Sequence, residues 1–510
     1  MSNKASDNLH KLIKSMTKPE KRYFKVFSSR HVIGDQNNYQ ILFDAIDRQE
    51  DYDEEKLLKK FRNEAFINRF SIAKSRLYQS ILRSLDAFHA NSSVEAQLKR
   101  QLHCAEILYN KSLYDQSFKL LRSARKVAQK HDKTTTLLEI GKWEKRLLEK
   151  DGYDNVDDKK LAKILKQDHE LLATLNGYSE LWNLKSKVFK ALYLRGKVRS
   201  EAEMAQYSEM LKGHEAFAKG DAKHPENQYL YNHLSSAYYF GLGDYEKSYP
   251  YITDNIAVIE KNKHIFEEEP NVYLSVLTNA IHVATRLGKA EEAFQWIDKM
   301  DRAGSGLSEM SNEDREMRLF AISKSAELNL LLQRGEFEKG IEMVPEIEEG
   351  LLKYEEKLSS VRKAALYFNI AVAFFGHGDF NEALKWTNQL LNNINIDKTQ
   401  DIHCMGQILN LIIHIELGNK SLLPYTLRST QRYLETRNRV YKFESVFLSF
   451  INELLKKRPT KSLGKLYIQL SNDLEALKGD HFERHAFEYF DFLGWAQKKS
   501  TSQFSEDQEA

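Results

Sequence analysis

Cysteine, proline and long apolar runs are scarce in this chain of 510 residues. Two cysteines, Cys104 and Cys404, cannot build a disulfide framework, so we expect the protein to reside in a reducing compartment. No apolar run approaches the roughly 20 residues that a membrane span needs, and residues 1–16 lack the apolar core of a signal peptide. These absences predict a cytoplasmic protein without a membrane partner.

Helix breakers are also few, with only 7 Pro and 22 Gly. Since 42% of the residues are hydrophobic and 29% are charged, with many Leu, Lys, Glu and Ala, the composition predicts an all-α protein. The formal net charge of +3 is too small over this length to predict a polyanionic partner.

One short pattern recurs along the chain and is typical of the corner between two antiparallel helices. Residues 243–248 read Gly-Asp-Tyr-Glu-Lys-Ser, and similar stretches begin at Gly288, Gly335 and Gly378. Glycine closes the first helix because it adopts left-handed backbone angles without a Cβ penalty. The acidic residue that often follows suits the positive end of the next helix. The small residue five positions after the glycine lets the two helices approach closely.

The pattern repeats at a nearly constant step. Ser112 begins a similar stretch, and weaker corners begin at Gly152, Gly196 and Gly418. The eight starts are separated by 40 to 47 residues, which is the signature of stacked helix hairpins. The sequence therefore predicts a superhelical solenoid over residues 96–440. An N-terminal helical module (1–95), C-terminal capping helices (441–497) and a disordered polar tail (498–510) complete the predicted organisation.

The residues around Gly378 resemble the tetratricopeptide repeat (TPR). Phe380, Ala383 and Asn369 match its aromatic, small and asparagine positions. The family step is about 34 residues, so the chain is similar to long-helix variants in bacterial TPR regulators and scaffolds. The resemblance implies a binding scaffold whose concave face takes a protein or peptide.

Asparagines on the first helices of the hairpins are the candidate binding residues. A side-chain amide both donates and accepts hydrogen bonds, so a row of amides can bracket a peptide backbone. Nearby aromatic side chains could add apolar contact. The predicted partner-binding residues are Asn232, Asn279, Asn329, Asn369, Asn410, Tyr239, Tyr273 and Phe374. The alternative interpretation is that these asparagines are ordinary helix-surface residues or bond neighbouring repeats.

The N-terminal module carries local basic charge. Residues 10–30 contain seven Lys or Arg against one acidic residue, and residues 56–83 contain eight against one. Short helices with basic stripes are found in helix-turn-helix nucleic-acid modules, and also as the solvated faces of plain helical caps. The candidate nucleic-acid contacts are Lys18, Lys21, Arg22, Lys25, Lys74 and Arg76.

Catalytic motifs are not found. The chain has no phosphate-binding glycine loop, no nucleophile elbow and no paired zinc-ligand spacing. His481 and His485 lie four residues apart in a predicted helix over 481–497, but no third metal ligand is nearby in sequence. We expect a non-enzymatic protein with no metal or cofactor that binds a protein or peptide. A regulator whose basic module binds nucleic acid is the alternative, and self-association stays open.

Overall fold

The computed structural model describes residues 7–29, 38–90, 93–154, 156–211, 224–267, 269–305, 312–355, 357–392, 400–456 and 462–509. Every regular element assigned in these ranges is a helix, which confirms the predicted all-α class. No helix in the described part of the chain is long and apolar enough to cross a membrane. The chain forms two compact units, Met1–Leu171 and Leu172–Ala510.

The first unit contains short helices followed by helix hairpins. Its helices are Asn8–Ser15, Lys18–Ser29, Asn38–Asp47, Glu54–Lys60, the 3-10 helix Ala65–Arg69, Phe70–Phe88, Val94–Asn110, Tyr114–Lys130, Thr134–Lys150 and the start of Asp158–Arg195. Residues 9–81 enclose one apolar core, around Phe24, Phe43 and Ile46. The stretch Thr17-Lys18-Pro19-Glu20 predicts a helix start with a capping box. The structure confirms it, because the Glu20 carboxylate accepts from the Thr17 N–H at 2.6 Å and Thr17 Oγ1 accepts from the Glu20 N–H at 3.4 Å.

The second unit continues from Leu172 to the C-terminus. After the remainder of Asp158–Arg195, its helices are Glu201–Met210, Pro225–Gly241, Tyr245–Lys261, Lys263–Phe266, Pro270–Arg286, Ala290–Ser305, Asn312–Gln333, Phe337–Glu342, Val344–Lys353, Ser360–His377, Phe380–Asn392, Gln400–Glu416, Leu423–Thr436, Lys442–Leu454, Leu463–Lys478, the 3-10 helix Arg484–Glu488 and Phe492–Glu509. Most of these helices pack against the next one or two along the chain. One apolar core runs from Met317 to Ala496, and a second lies over residues 181–330.

All eight predicted corner positions adopt left-handed backbone angles. The residues with positive φ are Ser112, Gly152, Gly196, Gly243, Gly288, Gly335, Gly378 and Gly418, together with Asp132, Tyr153 and Asn438. At the Gly243 corner, the Gly243 N–H donates to the Phe240 carbonyl and the Asp244 N–H donates to the Tyr239 carbonyl. This pair of bonds is the Schellman motif, which satisfies the last carbonyl groups of the helix.

The small residues after the corners are buried where two helices meet. Ser117, Ser248, Ala293 and Ala383 have no exposed surface, and Gly340 is also buried. Ser117 and Ser248 each donate a 2.8 Å hydrogen bond to a carbonyl of the preceding helix. The close approach that the sequence predicted at these positions is therefore confirmed.

The C-terminal region differs from the prediction in three places. Before the break at Pro459, the sequence predicts one helix over about residues 426–456. In the structure, Asn438 adopts a φ of 54° and separates Leu423–Thr436 from Lys442–Leu454. The helix expected over 481–497 is interrupted, since a 3-10 helix ends at Glu488 and Asp491 accepts from the Gly494 N–H at the start of the next helix. That helix continues to Glu509, where a disordered tail from residue 498 was expected. An ion pair between Lys499 and Glu416 helps hold its first half.

The units do not follow the predicted domain boundaries. The division at Leu171 falls inside the range 96–440. The capping range 441–497 shares one apolar core with helices from residue 317 onward.

Candidate functional site

A segment near the C-terminus packs against the corner at Gly243. We call residues 480–491 the closing segment. Arg484 Nη2 donates to the Gly243 carbonyl at 3.0 Å. The imidazole of His485 lies where a Cβ of residue 243 would be, so only glycine fits there without a shift. His485, which the sequence placed with His481 on a regular helix, is thus buried at 4% exposure and contacts the repeat corner.

Glu488 of the closing segment binds groups from three preceding helices or loops. Its carboxylate lies 2.5 Å from Lys197 Nζ and accepts from the Tyr245 hydroxyl at 2.8 Å. Arg286 Nη1 donates to the backbone carbonyl oxygen of Glu488 at 2.5 Å. Burial alone would raise the pKa of Glu488, but Lys197, His485 and Arg286 hold that pKa well below its usual range. Glu488 is therefore ionised, while burial and this carboxylate raise the pKa of Tyr245 and keep it a neutral donor.

A second buried ion-pair cluster secures the start of the closing segment. Arg199 donates to Glu444 at 2.6 Å and to Glu483 at 2.7 Å, and all three side chains are nearly inaccessible. Glu483 also accepts from the backbone N–H groups of Lys442 and Phe443 at 3.1 Å each, at the start of the helix Lys442–Leu454. The closing segment is consequently tied to both early and late parts of the second unit.

Beside the closing segment lies a cavity of about 1010 Å³. Ligand cavities typically occupy about 300–1,000 Å³, so the volume suits a bound polypeptide segment or a large organic ligand. Helices Pro225–Gly241, Pro270–Arg286, Asn312–Gln333 and Ser360–His377 contribute about half of the wall, and the closing segment forms one end. The polar wall residues from these four helices are His233, Ser236, Asn279, His282, Arg286, Ser325, Asn329, Gln333 and Asn369.

Three predicted binding asparagines meet in this cavity. Asn279, Asn329 and Asn369 come from three first helices of successive hairpins. Each is half-buried, and no hydrogen bond of its side-chain amide to another described residue is found. Their donors and acceptors thus remain available for a ligand.

Helix geometry explains why the other two asparagines lie elsewhere. Asn279 and Asn369 precede their corners by nine residues, whereas Asn329, Asn410 and Asn232 precede theirs by six, eight and eleven. At about 100° per residue, these offsets rotate Asn329 by about 60°, Asn410 by about 100° and Asn232 by about 160° from the shared face. Accordingly, Asn410 is buried at 7% exposure and Asn232 is not part of the cavity wall.

The three predicted aromatic residues also lie outside the cavity wall. Tyr239 stacks on Tyr251 with ring centres 5.8 Å apart, and the Tyr273 hydroxyl donates to Glu260 at 2.5 Å. Phe374 is half-buried against the larger apolar core. The apolar part of the wall comes instead from other side chains, which include Phe189, Phe240, Ile252, Val283, Leu332, Phe337 and Phe368.

Two histidines of the wall are uncharged. Burial, with Lys185 nearby, lowers the pKa of His233 to about 3. Burial, with Arg286 and Lys197 nearby, likewise lowers the pKa of His282 to about 3. His233 Nδ1 lies 3.1 Å from the Tyr229 hydroxyl, so the neutral ring and the phenol share a hydrogen bond. At neutral pH both rings act as hydrogen-bonding groups rather than cations.

Half of the predicted nucleic-acid contacts are ion-paired within the first unit. Lys21 lies 2.7 Å from Asp47, Lys25 lies 2.7 Å from Asp44, and Lys74 pairs with Glu54. The other three, Lys18, Arg22 and Arg76, are exposed and have no ion pair with a described residue. The six side chains therefore do not form one free basic surface.

The closing segment is the part of the site that the sequence did not reveal. Lys197 and Glu488 are 291 residues apart, and neither belongs to the corner pattern. The one available signal was the density of aromatic residues from Phe482 to Phe492, which exceeds that of an ordinary surface helix.

In the described ranges, no group of three or more His, Cys, Asp or Glu side chains is arranged to hold a metal ion. No protein-family model matches the chain, and no curated protein is found that is similar to it.

Proposed function

We propose that this chain is a non-enzymatic, TPR-like solenoid scaffold of the cytoplasm that binds a peptide segment of a partner protein in the cavity of its second unit. The observation that carries the proposal is the convergence of Asn279, Asn329 and Asn369 on one cavity. Their amides come from three consecutive first helices, and a row of amides on successive repeats can hydrogen-bond successive peptide groups of an extended chain.

The rest of the wall supports a peptide rather than a polyanion. Neutral polar groups such as Ser325, Gln333 and the uncharged His282 share the wall with apolar side chains. An extended peptide needs this mixture, because its backbone asks for hydrogen bonds while alternate side chains ask for apolar pockets. A phosphate backbone would need several unpaired Lys or Arg, and Lys197 and Arg286 are already engaged by Glu488.

Display of a random peptide library tests the proposal. Immobilised wild-type protein should enrich a set of related peptides over successive rounds. The variant Asn279→Ala/Asn329→Ala/Asn369→Ala should lose that enrichment, because it removes the three free amides and leaves the apolar wall in place. Asn232→Ala is the matched control, since Asn232 is a half-buried asparagine of the same kind that is not part of the cavity wall.

The expected result is enrichment by the wild type and by Asn232→Ala, together with loss in the triple variant. Failure of the folded wild type to enrich any peptide family would contradict the proposal. Equal enrichment by the triple variant would contradict it as well, because binding would then lie outside the cavity.

A further inference from the structure

Resting on the proposed function, we infer that the cavity selects a peptide segment without charged side chains, and that Glu488 determines this selectivity by occupying the carboxylate site formed by Lys197, Tyr245 and Arg286. The inference goes beyond peptide binding because it specifies the chemistry of the partner segment and assigns a residue to its selection.

The charged groups deep in the cavity wall are paired within the fold. Lys197 and Arg286 both contact Glu488. The remaining deep charge, Asp401, lies 3.4 Å from Arg439 and accepts from the Lys197 N–H at 3.2 Å. A charged peptide side chain that entered here would lose its hydration and find no free counter-charge. A neutral side chain or a peptide group could bond to the free amides without that penalty.

Two further charges lie at the rim. Lys478 and Asp491 are both exposed, so water screens them and they discriminate weakly between peptides. The carboxylate of Asp491 also accepts from the Gly494 N–H at 2.9 Å. Selectivity at the rim is therefore expected to be small, and the groups deep in the cavity determine which peptides bind.

Glu488 occupies the position that an acidic ligand would need. Two cations and a phenol converge on this carboxylate, which is the arrangement that recognises a carboxylate side chain or a chain terminus. Because the closing segment supplies the carboxylate from within the chain, an incoming acidic peptide finds this site taken. Removal of the Glu488 charge should leave Lys197 and Arg286 without their counter-charge and reverse the preference.

The test is the composition of peptides that are enriched from a displayed random library. The wild type should enrich peptides in which Asp, Glu, Lys and Arg are depleted by about tenfold at the core positions, as expected when burial leaves a charge unpaired. Glu488→Gln keeps the shape of the side chain and removes its charge, so Lys197 and Arg286 lose their counter-charge and should favour peptides with Asp or Glu beside the site. Lys197→Met/Glu488→Gln removes one of the two uncompensated cations and should weaken that acidic preference.

The outcomes separate the inference from the proposed function. Wild-type peptides that depend on the three asparagines but contain charged residues at library frequency would overturn the inference and leave peptide binding intact. A folded Glu488→Gln variant with no acidic preference would overturn the assignment of Glu488. Enrichment that survives loss of the three asparagines would instead overturn the proposed function. The wild-type composition is informative even where Glu488→Gln does not fold.

Discussion

The imidazole of His485 occupies the space where a Cβ of Gly243 would be, and this contact fastens the closing segment to a repeat corner. Gly243 also adopts a φ of 69°, so the position needs glycine for two independent reasons. Gly288 has a nearly identical φ of 70° but has open space where its Cβ would be. The two corners form a matched pair in which backbone strain is equal and the contact differs.

Gly243→Ala is expected to release the closing segment, whereas Gly288→Ala is not. Both substitutions carry a left-handed strain of roughly 1–2 kcal/mol, but only Gly243→Ala displaces His485. Amide hydrogen exchange should therefore accelerate over residues 484–490 in Gly243→Ala and stay near wild type there in Gly288→Ala. Equal exchange of this segment in the two variants would show that the contact does not hold it.

Arg199→Ala is expected to destabilise the second unit strongly. The substitution leaves the carboxylates of Glu444 and Glu483 buried without their cation. Removing one partner of a buried ion pair costs about 3–5 kcal/mol. Lys324→Ala is the control, because Lys324 pairs at 2.7 Å with Glu346, whose side chain is 60% exposed, and such pairs contribute about 0–1 kcal/mol. Urea unfolding measures the free energy of unfolding of both variants. A similarly small loss of that free energy in the two variants would contradict the role of Arg199.

His233 is expected to make folding less stable at acidic pH. Its folded pKa is about 3, whereas an unfolded histidine titrates near 6.5. Between these values the unfolded chain binds a proton that the folded chain does not, so stability falls as the pH drops below about 6.5. Between pH 7 and pH 5, this one histidine lowers the free energy of unfolding by about 2 kcal/mol.

The variant His233→Gln isolates that contribution, because the glutamine amide can donate to or accept from Tyr229 and does not titrate. Urea unfolding at pH 7 and pH 5 measures how much the free energy of unfolding falls on acidification. This fall should be smaller for the variant than for the wild type by about 2 kcal/mol. An identical acid loss would mean that His233 is protonated in the folded protein.

Nucleic-acid binding is expected to be weak and suppressed by salt. Lys21, Lys25 and Lys74 already hold carboxylates, whereas Lys18, Arg22 and Arg76 have no acidic partner among the residues that the structure describes. In fluorescence anisotropy with a labelled DNA duplex and a labelled RNA, Lys18→Ala/Arg22→Ala/Arg76→Ala should reduce the residual binding and its salt dependence. Peptide enrichment by this variant should match the wild type. Tight, sequence-selective binding that this variant abolishes would favour the nucleic-acid alternative.

Local features were predictable from the sequence because they depend on a few adjacent residues. The left-handed angle at Gly243, the cap at Thr17 and the burial of Ser248 each follow from one short stretch. Asn279 and Asn369 lie on the same helix face because each precedes its corner glycine by the same number of residues. Asn232 precedes its corner by a different number of residues and therefore lies outside the cavity wall.

Long-range contacts were not predictable by the same means. The bond between Lys197 and Glu488 joins residues that are 291 positions apart, and it obeys no period. His485 was misplaced for a related reason. Its spacing from His481 fits a regular helix, but residues Arg484–Glu488 form a 3-10 helix in which His485 packs against Gly243, a distant contact that local propensity does not encode.

Hydrogen exchange of the full-length protein with and without a peptide enriched from the random library tests the central claim most directly. If the peptide binds the free amides, added peptide should slow exchange in Pro270–Arg286, Asn312–Gln333 and Ser360–His377, and the effect should vanish in Asn279→Ala/Asn329→Ala/Asn369→Ala. Slowed exchange confined to the first unit, or retained in full by the triple variant, would contradict binding in this cavity.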